Sequence, residues 1–323
     1  MRRRPFGASG GASGRHDARA TREISYASSA GSRGSRAFVR LVENATGRLG
    51  LIRRAEGYER EVAQGRDFWD VICDRYGIGL EVAGGSLEAI PAEGPLVIVA
   101  NHPYGILDGL TMGRILSARR GGEFKVLAHS VFMRAPELEH VILPVDFDET
   151  REAVRRNLAT RAEAHRFLGA GGAVAVFPGG TVSTAAGPFG RPLDPGWRHF
   201  TAKLIARSDA AVVPIFFEGH NSRLFQVASH LNYALRLGLM IREFRKRVDT
   251  PVRVVVGEPI PRAVLDPLRG DARAMTDVLR DATYGLSPRP LPARRLGHEF
   301  EVKHRREPFP PPKAAPARDL HHP

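Results

Sequence analysis

Along residues 94–260, short uninterrupted apolar runs alternate with longer stretches in which apolar and polar positions mix. The apolar runs are "GPLVIVAN" (94–101), "FKVLAHSVFM" (124–133), "HVILPVDF" (140–147), "AVAVFPGG" (173–180), "AAVVPIFFEG" (210–219) and "PVRVVVGEPI" (251–260). Runs of this length, rich in Val and Ile and closed by Gly or Pro, predict strands buried on both faces. Between them, "DGLTMGRILSARR" (108–120), "DETREAVRRNLATRAEAHRFLGAGG" (148–172), "WRHFTAKLIARS" (197–208) and "SRLFQVASHLNYALRLGLMIREFRKRV" (222–248) predict helices. The alternation predicts an α/β fold, with a mostly parallel central sheet flanked by helices and ligand chemistry at the carboxyl ends of the strands. Ahead of it, "GLEVAGGSLEAI" (79–90) reads as a short hairpin.

Upstream, Phe38, Leu41, Val42, Ala45, Leu49 and Ile52 recur at helical spacing among Arg40, Arg48, Arg53 and Arg54, and "GYEREVAQGRDFWDVICDRYGI" (57–78) predicts a second helix. Four regions follow: a disordered basic arm (1–36), N-terminal amphipathic helices (37–80), the α/β domain (81–285) and a Pro/Arg-rich tail (286–323). The arm is Gly-, Ser-, Ala- and Arg-rich and too poor in large apolar side chains to repay its ordering entropy. His321 and His322 belong to the tail pattern rather than to a metal site.

Composition narrows the partners. With 42% hydrophobic residues, 323 residues can bury a large core. The net charge of +13 predicts an anionic partner: nucleic acid, an acidic membrane surface or a phosphorylated substrate. Only 7% of residues are aromatic, and no nucleic-acid-binding module is recognisable, so no nucleic acid is expected. The single cysteine, Cys73, excludes an internal disulfide and a thiolate metal cage, and fits a helical core position. No metal and no cofactor is expected. No run of about 18 apolar residues predicts a spanning helix, so membrane contact would be peripheral. The basic helix at 37–54 and the helix carrying Leu224, Ala228, Leu231, Leu235 and Leu239 each have a stripe that fits either a membrane interface or the core.

Three of the apolar runs end in polar or glycine-rich turns: "VIVANHPYGILD", "VAVFPGGTVST" and "VVPIFFEGHNSR". In a parallel sheet these ends lie together, which would let His102, Asp108, Gly179, Gly180, Thr181, Glu218, Asn221 and Arg223 line one pocket. His102 is the natural general base, because an imidazole titrates near neutral pH. Asp108 would fix its tautomer and stabilise the imidazolium. Glycines 179 and 180 would let backbone N–H groups approach an oxyanion or phosphate, with Thr181 as a further donor. Neither Gly-x-Ser-x-Gly nor Ser-x-x-Lys frames His102. A base without a protein nucleophile implies direct attack by a hydroxyl of the substrate. Each motif alone reads as an ordinary polar loop or turn; their shared order at strand ends favours a site.

These residues resemble the glycerophospholipid (lysophospholipid) acyltransferases, which have a strand ending in Asn-His with a downstream Asp, a strand ending Phe-Pro-Glu-Gly-Thr-Arg, and a Val-Pro-Ile strand. Here the blocks are "VANHPYGILDG", "VFPGGTVS" and "VVPIFFEG", in the same order over about residues 80–262. The resemblance implies transfer of a fatty acyl group from an acyl thioester, acyl-CoA or acyl carrier protein, to the hydroxyl of a lysolipid acceptor, with His102 as base oriented by Asp108. It implies acceptor contacts at Asn101, Phe177, Pro178, Gly179, Gly180 and Thr181, a basic residue near the headgroup at Lys125 or Arg223, and an enzyme on the inner face of the cell membrane.

The sequence departs from the family pattern in three places. Five residues rather than four separate His102 from Asp108, Gly105 being the residue that could fold the longer loop back. Gly179 and Val182 replace the family's Glu and Arg. "EGHNSRLFQVASHL" and "NHPYGILDG" resemble a hemolysin-labelled bacterial subgroup related to acyltransferases of ornithine-type aminolipids, which implies a lyso-aminolipid acceptor. Two other readings stay open: an inactive lipid-binding member of the same fold, if Asp108 cannot reach His102, and a basic nucleic-acid-binding protein.

Overall fold

The computed structural model describes residues 25–129, 136–145, 150–291 and 294–300. Helices α1 (Arg33–Ala45), α2 (Arg48–Ala55), α3 (Tyr58–Ala63) and α4 (Phe68–Tyr76) precede strand β1 (Leu80–Gly84). Then come β2 (Leu96–Ala100), α5 (Ile106–Arg120), β3 (Phe124–His129), α6 (Pro136–Glu139), β4 (Ile142–Val145), α7 (Arg151–Gly169) and β5 (Ala173–Val176). A small two-stranded ribbon, β6 (Thr184–Ala185) and β7 (Pro192–Leu193), leads to α8 (His199–Ala206) and β8 (Ala211–Phe217). The chain continues through α9 (Arg223–Leu231), α10 (Tyr233–Arg245), β9 (Val252–Val256), α11 (Arg262–Leu265) and α12 (Ala272–Gly285).

Seven strands form one sheet in the order β1-β9-β8-β2-β5-β3-β4. The five from β8 to β4 are parallel; β9 runs antiparallel to β8 and carries β1 parallel beside it. This is the expected mostly parallel α/β sheet. The "GLEVAGGSLEAI" segment is not a hairpin: β1 pairs with β9, and residues 87–89 form a 3-10 turn. The alternation of a strand sorts side chains between the two faces. Leu96, Ile98 and Ala100 of β2 join the cluster containing Trp69, Met112 and Ile115, while Val97 and Val99 join Val174, Val176, Ile205 and Leu279 on the opposite face. All five β2 residues are buried, which sets the strand preceding His102 in the middle of the molecule.

Three long helical expectations break into shorter helices. Gly47, at φ +116°, separates α1 from α2. Asp67 caps α4 after a break that includes Gly65, at φ +90°. Asn232 ends α9 and its side chain accepts the Leu235 N–H to start α10. The region boundaries shift as well. Helix α1 starts at Arg33 because Ser32 accepts the Ser35 N–H, and residues 25–30, read as part of the arm, pack against it through buried Ala27 and Ala30. Glu43 fastens this segment, accepting from Tyr26 N at 2.6 Å and from Ser25 Oγ. At the other end, the segment read as tail is tied down through residue 299: Gly297 N–H donates to the Asp194 carbonyl, His298 N–H to the Thr184 carbonyl, and Glu299 pairs with Arg198. Residues 1–24 and 301–323, including His321 and His322, lie outside the described residues.

Candidate active site

Strands β8, β2 and β5 are neighbours and parallel, so their carboxyl ends bring the three polar turns together. His102 stands two residues beyond β2. Its ring stacks on Phe177, with centroids 4.4 Å apart and planes at 27°. Its backbone is held from both sides: His102 N–H donates to Asp194 Oδ1 at 3.1 Å, and its carbonyl accepts the Ser183 N–H at 2.8 Å.

Asp108 lies in the first turn of α5 and is fully buried, while the His102 side chain is 18% exposed. His102 Nδ1 stands 2.9 Å from Asp108 Oδ2, although the Nδ1–H vector is not aligned on that oxygen. A base–orienter contact of this kind tightens when substrate closes the site. Oδ2 also accepts the N–H groups of Tyr104 at 2.8 Å and Gly105 at 2.9 Å, leaving Oδ1 without a partner. Burial pushes the Asp108 carboxyl above its ordinary range, while the His102 contact and the two backbone N–H groups oppose the rise. With Nδ1 turned to the carboxylate, Nε2 is the ring atom left to take a proton.

Gly105 explains how the longer loop closes. It adopts φ +91° and ψ −115°, a conformation that side chains rarely adopt. A Cβ there would press on the Met240 methyl and lie 3.1 Å from Val182 Cγ2. Behind the loop, the Tyr26 hydroxyl bonds the backbone at Ile106, and burial pushes its phenol up.

The Phe177–Thr181 turn closes through Gly180 N–H to the Phe177 carbonyl at 3.0 Å, so Gly180 N–H is committed to the turn and not to an oxyanion. The Pro178 carbonyl likewise accepts from Arg198 N–H. A Cβ on Gly179 would meet the Asp194 side chain at 3.2 Å; the glycine at the family's glutamate position makes room for a different carboxylate. Asp194 is fully buried and organises the turn: Oδ1 accepts from Ser183 Oγ and His102 N–H, Oδ2 from Trp197 Nε1 at 2.9 Å. Thr181 Oγ1 lies 3.2 Å from Arg236 Nη2, and the Val182 carbonyl 3.0 Å from the same nitrogen.

Three expected site residues do other work. Asn101 is spent on the fold: its amide donates to the Phe217 carbonyl at 2.9 Å and accepts the Phe217 N–H at 2.7 Å, splicing the end of β2 to β8. Lys125 is level with Val174 and Val97, well short of the strand ends, and donates to the His140 carbonyl over the Phe167 ring. Arg223 turns away to bond the carbonyls of Phe189 and Gly190. Glu218 and Asn221 follow β8; Asn101 and Glu218, but not Asn221, line a cavity of about 270 Å³ that opens beside the His102–Asp108 loop, between Pro103, Ser183, Tyr284 and Leu291. Asp194, Tyr26 and Arg236 were not anticipated, and only Asp194, in "PLDPGW" after the turn, carries a local sequence cue. Among the described residues no group of His, Cys, Asp and Glu has metal-binding proximity.

A family described as acyltransferase matches residues 60–288. A lyso-glycine lipid O-acyltransferase of Phocaeicola vulgatus is 25% identical over 228 residues, covering 69% of this chain and 78% of the relative. One of Bacteroides thetaiotaomicron is 27% identical over 230 residues, covering 69% and 80%. Among solved structures, the 1-acyl-sn-glycerophosphate (LPA) acyltransferase PlsC of Thermotoga maritima matches with a TM-score of 0.41 at 16% identity, over 76% of this chain and 84% of that one.

Proposed function

The chain belongs to the acyltransferase family, and on that premise we propose that it moves a fatty acyl group from an acyl thioester to the hydroxyl of a lysolipid in membrane lipid biosynthesis. The observation that carries the mechanism is the 2.9 Å approach of His102 Nδ1 to the buried Asp108 carboxylate. His102 Nε2 takes the proton from the acceptor hydroxyl as its oxygen attacks the thioester carbonyl. Asp108 stabilises the imidazolium, and collapse of the tetrahedral intermediate expels the thiolate of the carrier, which takes up the proton from Nε2 and restores the neutral base. The stacked Phe177 and the two backbone anchors at 102 hold the ring in register for that transfer.

The relatives named lyso-glycine lipid O-acyltransferase support an aminolipid acceptor, as do Gly179 and Val182, which remove the Glu and Arg of phosphate-type acceptor sites. The donor is acyl-CoA or acyl carrier protein; the cavity beside Pro103 and Ser183, with exposed Arg191 and Arg289 among its lining residues, suits the phosphate-bearing arm of either. No described helix is long and apolar enough to cross a membrane. Phe38, Leu41 and Leu49 on α1 and α2, with Leu231 and Tyr233 where α9 meets α10, are exposed beside a basic surface. They would dock the enzyme on an anionic leaflet, the inner face of the cell membrane, with about 1 kcal/mol from each basic residue near the surface.

The test is thiol release from an acyl thioester with a panel of lysolipids, the acylated product being identified by mass. The parent protein should turn over at least one lysolipid, and His102→Ala, folded to the same melting temperature, should lose about 10²–10⁴-fold in rate. Unchanged turnover by His102→Ala would overturn the mechanism.

A further inference from the structure

Among the buried charges that take no part in the proton transfer, one stands beside the Phe177–Thr181 turn. Arg236, in the first turn of α10, is 3% exposed. Its terminal nitrogens donate only to neutral oxygens: Nη1 to Thr184 Oγ1 at 2.7 Å and Ser229 Oγ at 2.9 Å, Nη2 to the Val182 carbonyl at 3.0 Å and Thr181 Oγ1 at 3.2 Å. The guanidinium lies between the rings of Phe225 and Phe300, 4.8 and 4.3 Å from their centroids. Among the described residues no carboxylate pairs with it, and its charge neighbours are the phenols of Tyr233 and Tyr26. Burial pushes it down only to about 10, so it is charged at neutral pH. A buried cation without a counter-charge is costly to fold around. Buried Arg120 has the carboxylates of Glu93 and Glu123 as charge neighbours; Arg236 has no carboxylate among its own, which leaves its counter-charge to arrive with a ligand.

We propose that Arg236 is a specificity-determining residue that selects an anionic, carboxylate-bearing headgroup on the lysolipid acceptor, acting through Thr181. Thr181 Oγ1 accepts from the guanidinium and therefore turns its own hydrogen outward, from a half-buried position, as the donor the headgroup meets. Thr181 and Val182 immediately precede Ser183, whose N–H holds the His102 carbonyl. An anion at Thr181 and a hydroxyl at His102 therefore fit one end of a single small headgroup. The same turn lacks the arginine of the family pattern at Val182, and Arg236 brings a guanidinium to it from α10. One cation softened by hydroxyls matches the single charge of a carboxylate better than the double charge of a phosphate monoester.

The inference rests on the acyltransferase reading and is tested separately from it. kcat and KM are measured for the full chain with three acceptors of equal chain length: a lysolipid with a free carboxylate, its methyl ester, and a lysolipid with a phosphate monoester. The parent should favour the acid over the ester about ten- to a hundredfold in kcat/KM, mainly through KM, and should favour it over the phosphate. Arg236→Gln and, with less burden on folding, Thr181→Val should both erase the acid-to-ester ratio; Arg236→Lys should restore part of it. An unchanged ratio in folded Arg236→Gln and Thr181→Val, equal slowing on acid and ester, or a parent preference for the phosphate would overturn the assignment. Absence of turnover on every acceptor by the parent would instead overturn the acyltransferase reading and this inference with it.

Discussion

Both ends of the sheet bury charge, and they do so in opposite ways. At the amino ends, Arg120 is 6% exposed and its terminal nitrogens close on the carbonyls of Pro91, Gly94 and Gly171. Lys125 closes on the His140 carbonyl. These cations stitch loop to loop. At the carboxyl ends, Asp108 concentrates its contacts on Oδ2 and leaves Oδ1 bare, and the His102 ring keeps one nitrogen uncommitted. Arg120 Nε has no partner either, so an open valence alone does not mark a site; what separates the two ends is that at the carboxyl ends a titratable ring and a buried carboxylate stand 2.9 Å apart.

Substitutions at the two ends should therefore fail differently. Asp108→Asn should cost about 10²–10⁴-fold in kcat with little loss of stability. An asparagine oxygen in the Oδ2 position still accepts from Tyr104 and Gly105, while the new NH₂ at the buried Oδ1 position has no partner, a cost of about 1–3 kcal/mol that offsets the relief from burying the charge. Its pH dependence has a definite sign. The folded pKa of Asp108 is raised, so the folded state holds this proton more tightly than the unfolded chain. Ionisation then costs stability as pH climbs from the ordinary carboxylate range through the folded value. Over that window the melting temperature of the parent should fall relative to that of Asp108→Asn; parallel curves would contradict the burial effect.

Gly105→Ala should lower both stability and rate, because φ +91° and the Met240 contact strain any side chain there. About 1–3 kcal/mol is expected in denaturant unfolding. Arg120→Met should cost a similar 1–3 kcal/mol by orphaning buried carbonyls, yet leave turnover per folded molecule unchanged. A fall in kcat would blur the contrast between the ends. Lys125→Ala should be the mildest, under about 1 kcal/mol with KM unmoved, since its carboxylate contact to Glu163 is long at 3.8 Å.

The parts of this contrast that are local in the chain are legible in the sequence. Buried strands closing on "NHPYGILD" and "FPGGT" locate His102, Asp108 and Thr181, because parallel neighbours must bring their ends together. The left-handed Gly105 follows from the length of the loop. The rest depends on contacts between distant segments. Asp194 reaches the His102 backbone from 92 residues away, and Arg236 reaches Thr181 from 55. The pairing of β1 with β9, which replaces the expected hairpin, spans a wider gulf, 172 residues. Lys125 shows that a basic residue in an apolar run announces a strand but not which end of it carries the charge. Asn101 looks like a polar site residue because nothing local reveals that Phe217 takes both ends of its amide. The breaks at Gly47 and Asn232 carry left-handed and capping residue types, but unbroken apolar periodicity runs through both.

The most direct test of the central claim is a double-substitution cycle on kcat, using His102→Ala, Asp108→Asn and the pair together. If Asp108 acts through the His102 imidazole, adding Asp108→Asn to His102→Ala should cost almost nothing further. Independent, multiplying losses would show that the two side chains do not work as a unit and would contradict the assignment of the base.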